Sequence, residues 1–245
     1  MNQKGKLYVV GIGPGAYEQM TVKAVRALEK SQVIVGYTVY AQLVREHFPE
    51  KEYVTTPMRQ EKERCQMALD LVKKGKIVSM VCSGDSGVYG MSSLIFQLAG
   101  EESFDIEAVP GVTAALGGGA LLGAPLGHDF AVISLSDLLT PMEIIEKRLR
   151  AAAQADFVIC LYNPASKKRA DYLKWACDVV LSLRGPETVC GWVKNIGREG
   201  ETMEVLTLKE LKDLEADMFT TVFIGSSNTK NIQGRMITPR GYRNV

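Results

Sequence analysis

The feature that most constrains the fold is a repeated succession of short apolar runs, each followed by a turn signal and a helix-like segment. Three such runs in the first half are KLYVVG (6–11), QVIVG (32–36) and IVSMVC (77–82). Continuous apolar strands that are separated by helices are typical of parallel sheets with both faces covered. The sequence therefore predicts an α/β protein.

The succession starts a second time in the C-terminal half. The runs FAVIS (130–134) and DFVICLY (156–162) follow a glycine-rich segment that contains Gly117-Gly118-Gly119. Glycine is a poor helix former, and Pro125 would end a helix. We therefore predict two α/β domains, 1–116 and 126–245, joined by a glycine-rich linker over 117–125.

Length and charge limit the classes of partner. The 245 residues suffice for two domains of ordinary size. The chain has 29 Lys and Arg against 28 Asp and Glu, and this balance gives no electrostatic footprint for nucleic acid or an anionic membrane. The longest stretch without charge or histidine, 108–127, contains six glycines and two prolines, which argue against a membrane-spanning helix. We expect neither nucleic acid nor a membrane as partner.

The cysteines and histidines indicate no metal centre. The chain has five cysteines, an odd number, and no pair has CxxC spacing. Neither a disulfide framework nor a zinc site is indicated, and free thiols fit a reducing cytoplasm. Because there are only two histidines, a histidine-based metal site is not expected either.

The first strand ends in a glycine-rich turn, GIGPGA (11–16). Gly11, Gly13 and Ala16 occupy the key positions of a dinucleotide-binding turn. Pro14, however, lacks the N–H that would help to bind a pyrophosphate, and the second strand ends without an acidic residue for a ribose. The residues alone leave open a nucleotide-binding loop or an ordinary tight turn.

Two further strand ends carry polar residues. The segment CSGDSGVYG (82–90) places Asp85 between glycines, and VPGVTAA (109–115) places Thr113 before a helix. The carboxyl ends of strands are where open α/β sheets bind ligands. Asp85 could accept hydrogen bonds from a ribose or an ammonium group, or be a solvated turn residue. Thr113 could cap the helix or contact a ligand.

The motifs together resemble those of a known family. GIGPG, SGDSGVYG, PGVTA, YNP (162–164) and TPRGY (238–242) occur in this order over nearly the whole chain. This pattern resembles the tetrapyrrole (corrin and porphyrin) methylases. The segment HDFAVISLSDLLTPMEIIEKR (128–148) is most similar to the precorrin-3B C17-methyltransferases and their relatives that act on cobalt-factor III.

The resemblance implies a class III methyltransferase fold, with S-adenosyl-L-methionine in a cleft between two α/β domains, and a homodimer. A sulfonium cofactor has no phosphate to bind, which accounts for Pro14 in the first loop. The cofactor-binding residues implied by the matching motifs are Pro14, Ser83, Gly84, Asp85, Val88, Thr113, Ala114, Tyr162, Asn195, Thr238 and Pro239.

The implied reaction is methylation at C17 coupled to ring contraction of a precorrin-3B or cobalt-factor III macrocycle in cobalamin biosynthesis. Contraction moves protons, so a general acid or base is expected. Its candidates are His128, Ser136 and Asp137. His128 could instead be a hydrogen-bonded structural histidine, and Asp137 a turn or cap residue. The macrocycle carries carboxylates, for which the candidate cations are Arg59, Arg64, Lys167, Lys168 and Arg240.

Other functions remain open at this stage. A sister enzyme could methylate another ring carbon, and a module of the same fold could bind tetrapyrrole without catalysis. The turn GIGPGA (11–16) also leaves a nicotinamide oxidoreductase as an alternative, against which Pro14 and the missing ribose-binding acid argue. No iron–sulfur centre is expected, because no cysteine cluster is present.

Overall fold

The computed structural model describes residues 4–166 and 170–242. The chain forms two compact units, Met1–Thr113 and Ala114–Val245. The division thus falls at a single peptide bond, just before the boundary at residue 116 expected from the sequence. Across the described residues, no helix has the length and apolar composition that crossing a bilayer would require.

The first unit contains a five-stranded sheet in the order β3-β2-β4-β1-β5, with every neighbouring pair parallel. All five strands therefore end at the same edge, as the prediction of a parallel sheet requires. The elements are β1 (Lys6–Gly11), α1 (Val22–Lys30), β2 (Val33–Tyr37), α2 (Thr38–Arg45), β3 (Glu52–Thr56), α3 (Glu61–Lys73), β4 (Ile77–Cys82), α4 (Ser92–Ala99) and β5 (Asp105–Val109), with a short 3₁₀ helix at Tyr17–Gln19.

Both faces of this sheet are covered by helices. Along β1, Leu7 and Val9 belong to one apolar cluster, which includes residues of α3 and α4. The alternate residues Tyr8 and Val10 belong to another, which includes residues of α1 and α2. Because successive strand residues point to opposite faces, a strand covered on both sides is apolar throughout. This explains why the sequence prediction is correct for this unit.

The second unit has a mixed sheet in the order β10-β9-β11-β8-β7. In this sheet β7 and β8 pair in parallel, whereas β11 is antiparallel to both β8 and β9, and β10 to β9. The prediction of a parallel sheet is therefore wrong here. The elements are α5 (Ala114–Leu122), β6 (Gly123–Ala124), β7 (Phe130–Ser134), α6 (Met142–Gln154), β8 (Val158–Tyr162), α7 (Tyr172–Leu181), β9 (Val189–Lys194), β10 (Thr202–Thr207), α8 (Leu208–Leu211), β11 (Thr220–Ile224), β12 (Lys230–Ile232) and β13 (Arg235–Ile237).

Strand direction in this unit determines which loops become neighbours. Since β8 and β9 are both antiparallel to β11, they run in the same direction as each other and as β7. The carboxyl ends of β7, β8 and β9 thus share one edge. A separate three-stranded sheet, β12-β13-β6, joins the last two strands to the segment after α5.

The glycine-rich segment differs from the predicted linker over 117–125. Its first part is the helix α5, in which Gly117, Gly118 and Gly119 are buried. A Cβ on Gly118 would lie 3.1 Å from the ring of Phe223 on β11 and 3.2 Å from Ile196. The missing side chains therefore let the helix backbone approach the sheet closely. Helix α5 covers one face of this sheet, and α6, α7 and α8 contribute to the apolar cluster on the other.

Candidate functional site

Three loops lie at the carboxyl edge of the first sheet, after the neighbouring strands β1, β4 and β5. The first two are joined by backbone hydrogen bonds in both directions. The Gly13 N–H donates to the Gly84 carbonyl at 3.1 Å, and the Gly84 N–H donates to the Gly13 carbonyl at 2.7 Å. Both residues have positive φ, +76° and +70°, which glycine adopts without strain.

Glycines also allow the third loop to pack on the other two. A Cβ on Gly111 would lie 2.2 Å from the Gly84 carbonyl oxygen and 2.6 Å from the Gly11 backbone. No side chain fits in that space, so the three loops meet backbone to backbone. Gly11 and Gly13 of GIGPG are thus explained by loop packing, without a phosphate to bind.

Asp85 links the loops after β4 and β5. Its Oδ1 accepts hydrogen bonds from the N–H groups of Gly87 at 2.8 Å and Val88 at 3.1 Å. Its Oδ2 accepts one from the N–H of Gly111 at 2.9 Å. The half-buried carboxylate therefore holds two strand-end loops in a fixed relation.

Two hydroxyl groups add to this arrangement, and sequence reasoning singled out neither. Buried Ser86 donates to the Val109 carbonyl at 3.2 Å. Thr21 caps α1 by accepting from the Ala24 N–H at 3.0 Å, and donates to the Pro110 carbonyl at 3.1 Å. Five of the predicted cofactor-binding residues lie on these loops: Pro14, Ser83, Gly84, Asp85 and Val88. A sixth, Thr113, is the last residue of the same unit.

At the carboxyl edge of the second sheet, Tyr162 ends β8 and reaches the start of α5. Its hydroxyl oxygen accepts a hydrogen bond from the Ala115 N–H at 2.7 Å. The first N–H groups of a helix have no partner within the helix, so this contact stabilises the helix start next to Ala114. Asn195 follows β9 at the same edge with a φ of +54°, and its side-chain amide donates to the Gly200 carbonyl at 3.4 Å.

The loop after β7 lies at this edge as well. The Ser134 hydroxyl accepts from the Asn163 side-chain amide at 2.9 Å and from the Ser136 N–H at 3.2 Å. Exposed Asp137 accepts a hydrogen bond from the hydroxyl of Tyr172, the first residue of α7, at 2.8 Å. Sequence reasoning missed Tyr172. The structure thus places Ser136, Asp137, Tyr162 and Asn195 at one edge.

His128 lies at the opposite edge, because it precedes β7 whereas Ser136 and Asp137 follow it. A five-residue strand alone spans roughly 17 Å. The three predicted acid–base residues are therefore not one group. The edge with His128 has a cavity of about 160 Å³, lined by residues that include His128, Asp129, Asp156, Ser226, Thr238 and Pro239. Thr238 and Pro239, two of the predicted cofactor-binding residues, therefore lie on the same side as His128.

The candidate cations differ in accessibility. Arg64 is 5% exposed, and its guanidinium donates to the Thr56 hydroxyl at 3.0 Å and the Pro57 carbonyl at 3.3 Å, which indicates a structural role. Arg59 and Arg240 are exposed, while Lys167 and Lys168 lie outside the described residues. Within residues 4–166 and 170–242, no three His, Cys, Asp or Glu side chains are placed to hold a metal ion.

Comparison with known proteins decides the family. The sequence model of the tetrapyrrole (corrin/porphyrin) methylases matches residues 6–212. The chain belongs to this family. A probable cobalt-factor III C(17)-methyltransferase of Salmonella typhimurium is 44% identical to this methylase over 96% of the chain and 99% of the relative. A precorrin-3B C(17)-methyltransferase of a Sinorhizobium species is 39% identical, with 97% of each chain covered.

Similarity in structure agrees with similarity in sequence. The crystal structure of the methyltransferase CobJ matches this methylase with a TM-score of 0.89 and 34% identity, over 96% of this chain and 100% of that one. The class III methyltransferase fold expected from the sequence is thereby confirmed. The cobalamin biosynthesis protein CbiHC of Archaeoglobus fulgidus is 46% identical, and the chain spans 54% of its length.

Proposed function

We propose that this methylase transfers the methyl group of S-adenosyl-L-methionine to C17 of cobalt-factor III in cobalamin biosynthesis, with contraction of the macrocycle. The observation that carries the proposal is the 44% identity over 99% of a probable cobalt-factor III C(17)-methyltransferase. Precorrin-3B is the second candidate substrate, supported by the 39% identity to a methyltransferase named for it. Both candidates are tetrapyrroles that differ in their metal content.

The loops of the first unit suit this methyl donor. Their glycines let the loops pack backbone to backbone at the carboxyl edge, and Pro14 offers no N–H to a phosphate. We propose that Pro14, Ser83, Gly84, Val88 and Thr113 contact the cofactor, while Asp85 belongs to the same site. We also propose that the cofactor is contacted by three residues at the carboxyl edge of the second sheet, Ala114, Tyr162 and Asn195. Thr238 and Pro239 lack that support, because they line the cavity with His128.

The chemistry requires positioning more than covalent catalysis. When bound, S-adenosyl-L-methionine would supply an electrophilic methyl group to the macrocycle carbon, with S-adenosylhomocysteine as the leaving group. The residues of the chain orient the reactants and exclude water, and these effects account for much of such a rate. For the proton movement of ring contraction, we propose Asp137, oriented by Tyr172 at 2.8 Å, as the acid–base group.

The proposed reaction is tested by anaerobic incubation with methyl-labelled S-adenosyl-L-methionine. Cobalt-factor III, precorrin-3B and precorrin-4 are supplied separately, and the products are analysed by mass spectrometry. We expect label at C17 of a contracted ring from cobalt-factor III. Label only from precorrin-4 would contradict the assignment to C17 and favour a sister methyltransferase. Cofactor binding without transfer to any substrate would favour a binding module.

The proton-transfer proposal is tested with two variants in the same assay. Asp137→Asn keeps the shape of the side chain but removes its basicity, so we expect turnover to fall about 100-fold, within the usual range for general acid–base catalysis. His128→Asn is the control at the opposite edge, and we expect turnover within about twofold of the wild type. Loss of activity in His128→Asn with normal activity in Asp137→Asn would reverse the assignment.

We further propose that the methylase acts as a homodimer in the cytoplasm. The homodimer is supported by the family resemblance alone. The reducing compartment is supported by the five cysteines, all of which are buried free thiols. Sedimentation of the purified protein at micromolar concentration tests the first point, and a monomeric mass there would contradict it.

A further inference from the structure

We propose that Asp85 is a positioning residue: its carboxylate locks the loops after β4 and β5 in the arrangement that receives the cofactor, and it makes no direct contact with the cofactor. This inference rests on the proposed function, because it concerns the same site. It differs from the expectation that the sequence raised, in which the carboxylate binds a ribose.

The hydrogen bonds of Asp85 carry the inference. Both carboxylate oxygens accept backbone N–H groups, two on Oδ1 and one on Oδ2, at 2.8–3.1 Å. One bond spans 26 residues of sequence, from Asp85 to Gly111. Hydrogen bonds to a charged acceptor are about twice as strong as neutral ones, so this carboxylate holds the two loops more firmly than a neutral acceptor would.

The loops need such a link because their packing is made of glycine. Gly11, Gly84 and Gly111 meet through backbone atoms, and a Cβ on Gly11 would lie 2.7 Å from the Gly84 carbonyl oxygen. Glycine segments have the largest conformational freedom to lose, and these positions have no side chains that could interlock. A loop that is already held in its binding conformation loses less entropy when a ligand binds.

An Asp85→Asn variant tests the role because asparagine has only one acceptor oxygen. Its NH₂ group would face at least one of the backbone N–H donors, so the bonds to one loop are lost. The matched control is Asp156→Asn in the second unit. Asp156 likewise joins two distant segments, by accepting from the backbone N–H and the hydroxyl of Ser227, 71 residues away.

The experiment measures binding of three ligands by calorimetry: S-adenosylhomocysteine and its 2′-deoxy and 3′-deoxy counterparts. If Asp85 acts through the loops, Asp85→Asn weakens all three by the same factor, which we expect to be about tenfold for the loss of a charge-assisted hydrogen bond. Asp156→Asn is expected to bind all three like the wild type. A penalty that disappears with one deoxy ligand would overturn the inference, since it would show contact with that hydroxyl.

Hydrogen exchange separates the inference from the proposed function. In the ligand-free protein, we expect the amides of the loop that loses its bonds, either Gly111 or the pair Gly87 and Val88, to exchange at least tenfold faster in Asp85→Asn than in the wild type. Unchanged exchange at all three amides would overturn the link between the loops, whatever the binding result. If the wild type binds none of the three ligands, the proposed cofactor fails together with the role of Asp85 in receiving it, while exchange still decides whether the carboxylate joins the loops.

Discussion

At the scale of single residues, Glu107 shows how the first unit uses charge. Its carboxylate lies 2.8 Å from the Lys23 ammonium of α1 and 2.9 Å from the Lys6 ammonium of β1. The hydrogen bonds from Lys23 and Lys6 lower the pKa of Glu107 to about 2. A carboxyl group whose pKa is lower in the folded state stabilises the fold above its unfolded pKa. That contribution is lost as the pH falls through the folded value.

Glu107→Gln is therefore expected to lower the free energy of unfolding at pH 7 by about 1 kcal/mol, a modest amount for a partly exposed ion pair. The difference from the wild type should shrink as the pH falls from about 4.5 toward 2, and as salt is added. Urea denaturation at pH 7, 4 and 3 measures it. Glu52→Gln at an exposed position of β3 is the control. A difference that grows with acidity would contradict the prediction.

The sequence locates single site residues better than it predicts their partners. Asp85 stands out between its glycines, yet its bond to Gly111 depends on how β4 and β5 are placed in the sheet. The sequence does not mark Tyr172 as a site residue, because its hydrogen bond to Asp137 depends on the packing of α7 beside the loop that follows β7. The separation of His128 from Asp137 could have been predicted, since the intervening apolar run is long enough to be a whole strand.

At the scale of secondary-structure elements, α5 depends on its glycines. Gly118→Val would put a branched side chain where even a Cβ lies 3.1 Å from Phe223. We expect overpacking to lower the free energy of unfolding by about 1–3 kcal/mol. Ala120→Val introduces the same residue at an exposed position of the same helix, where only the helix propensity changes, by about 0.5 kcal/mol. Denaturant midpoints measure both, and equal effects would contradict close packing as the reason for the glycine.

The elements differ in how well the sequence predicts them. The strands of the first unit follow from their apolar runs, because helices cover both faces of a parallel sheet. In the second unit, an apolar run marks a strand but does not give its direction. For β9 and β10, the length of the connection gives the direction: residues 195–201 are too few for the crossover that a parallel pair needs, so the two strands must be antiparallel. The sequence could not assign the glycines of α5 to a helix, because the reason for them is the close approach of Gly118 to Phe223, which depends on the tertiary structure.

At the scale of the whole molecule, each unit has its own apolar cores and its own cysteines. Cys65 and Cys82 lie in the first unit, and Cys160, Cys177 and Cys190 in the second. Burial raises the pKa of every one of these thiols, to about 12 for Cys65 and Cys177 and about 11 for Cys82. The thiolate is the reactive form, so a buried thiol with a raised pKa reacts only after the structure around it opens.

Alkylation should therefore report the opening of each unit. In native buffer at pH 8, we expect iodoacetamide to modify none of the five cysteines at a rate above about one-hundredth of that of an exposed thiol. In rising denaturant, Cys65 and Cys82 should become reactive together, and Cys160, Cys177 and Cys190 together, because each group belongs to one cooperative unit. Peptide mass spectrometry after timed labelling measures this, and full labelling in strong denaturant is the control. A single cysteine that reacts alone while the others of its unit stay protected would show that the unit does not open as one.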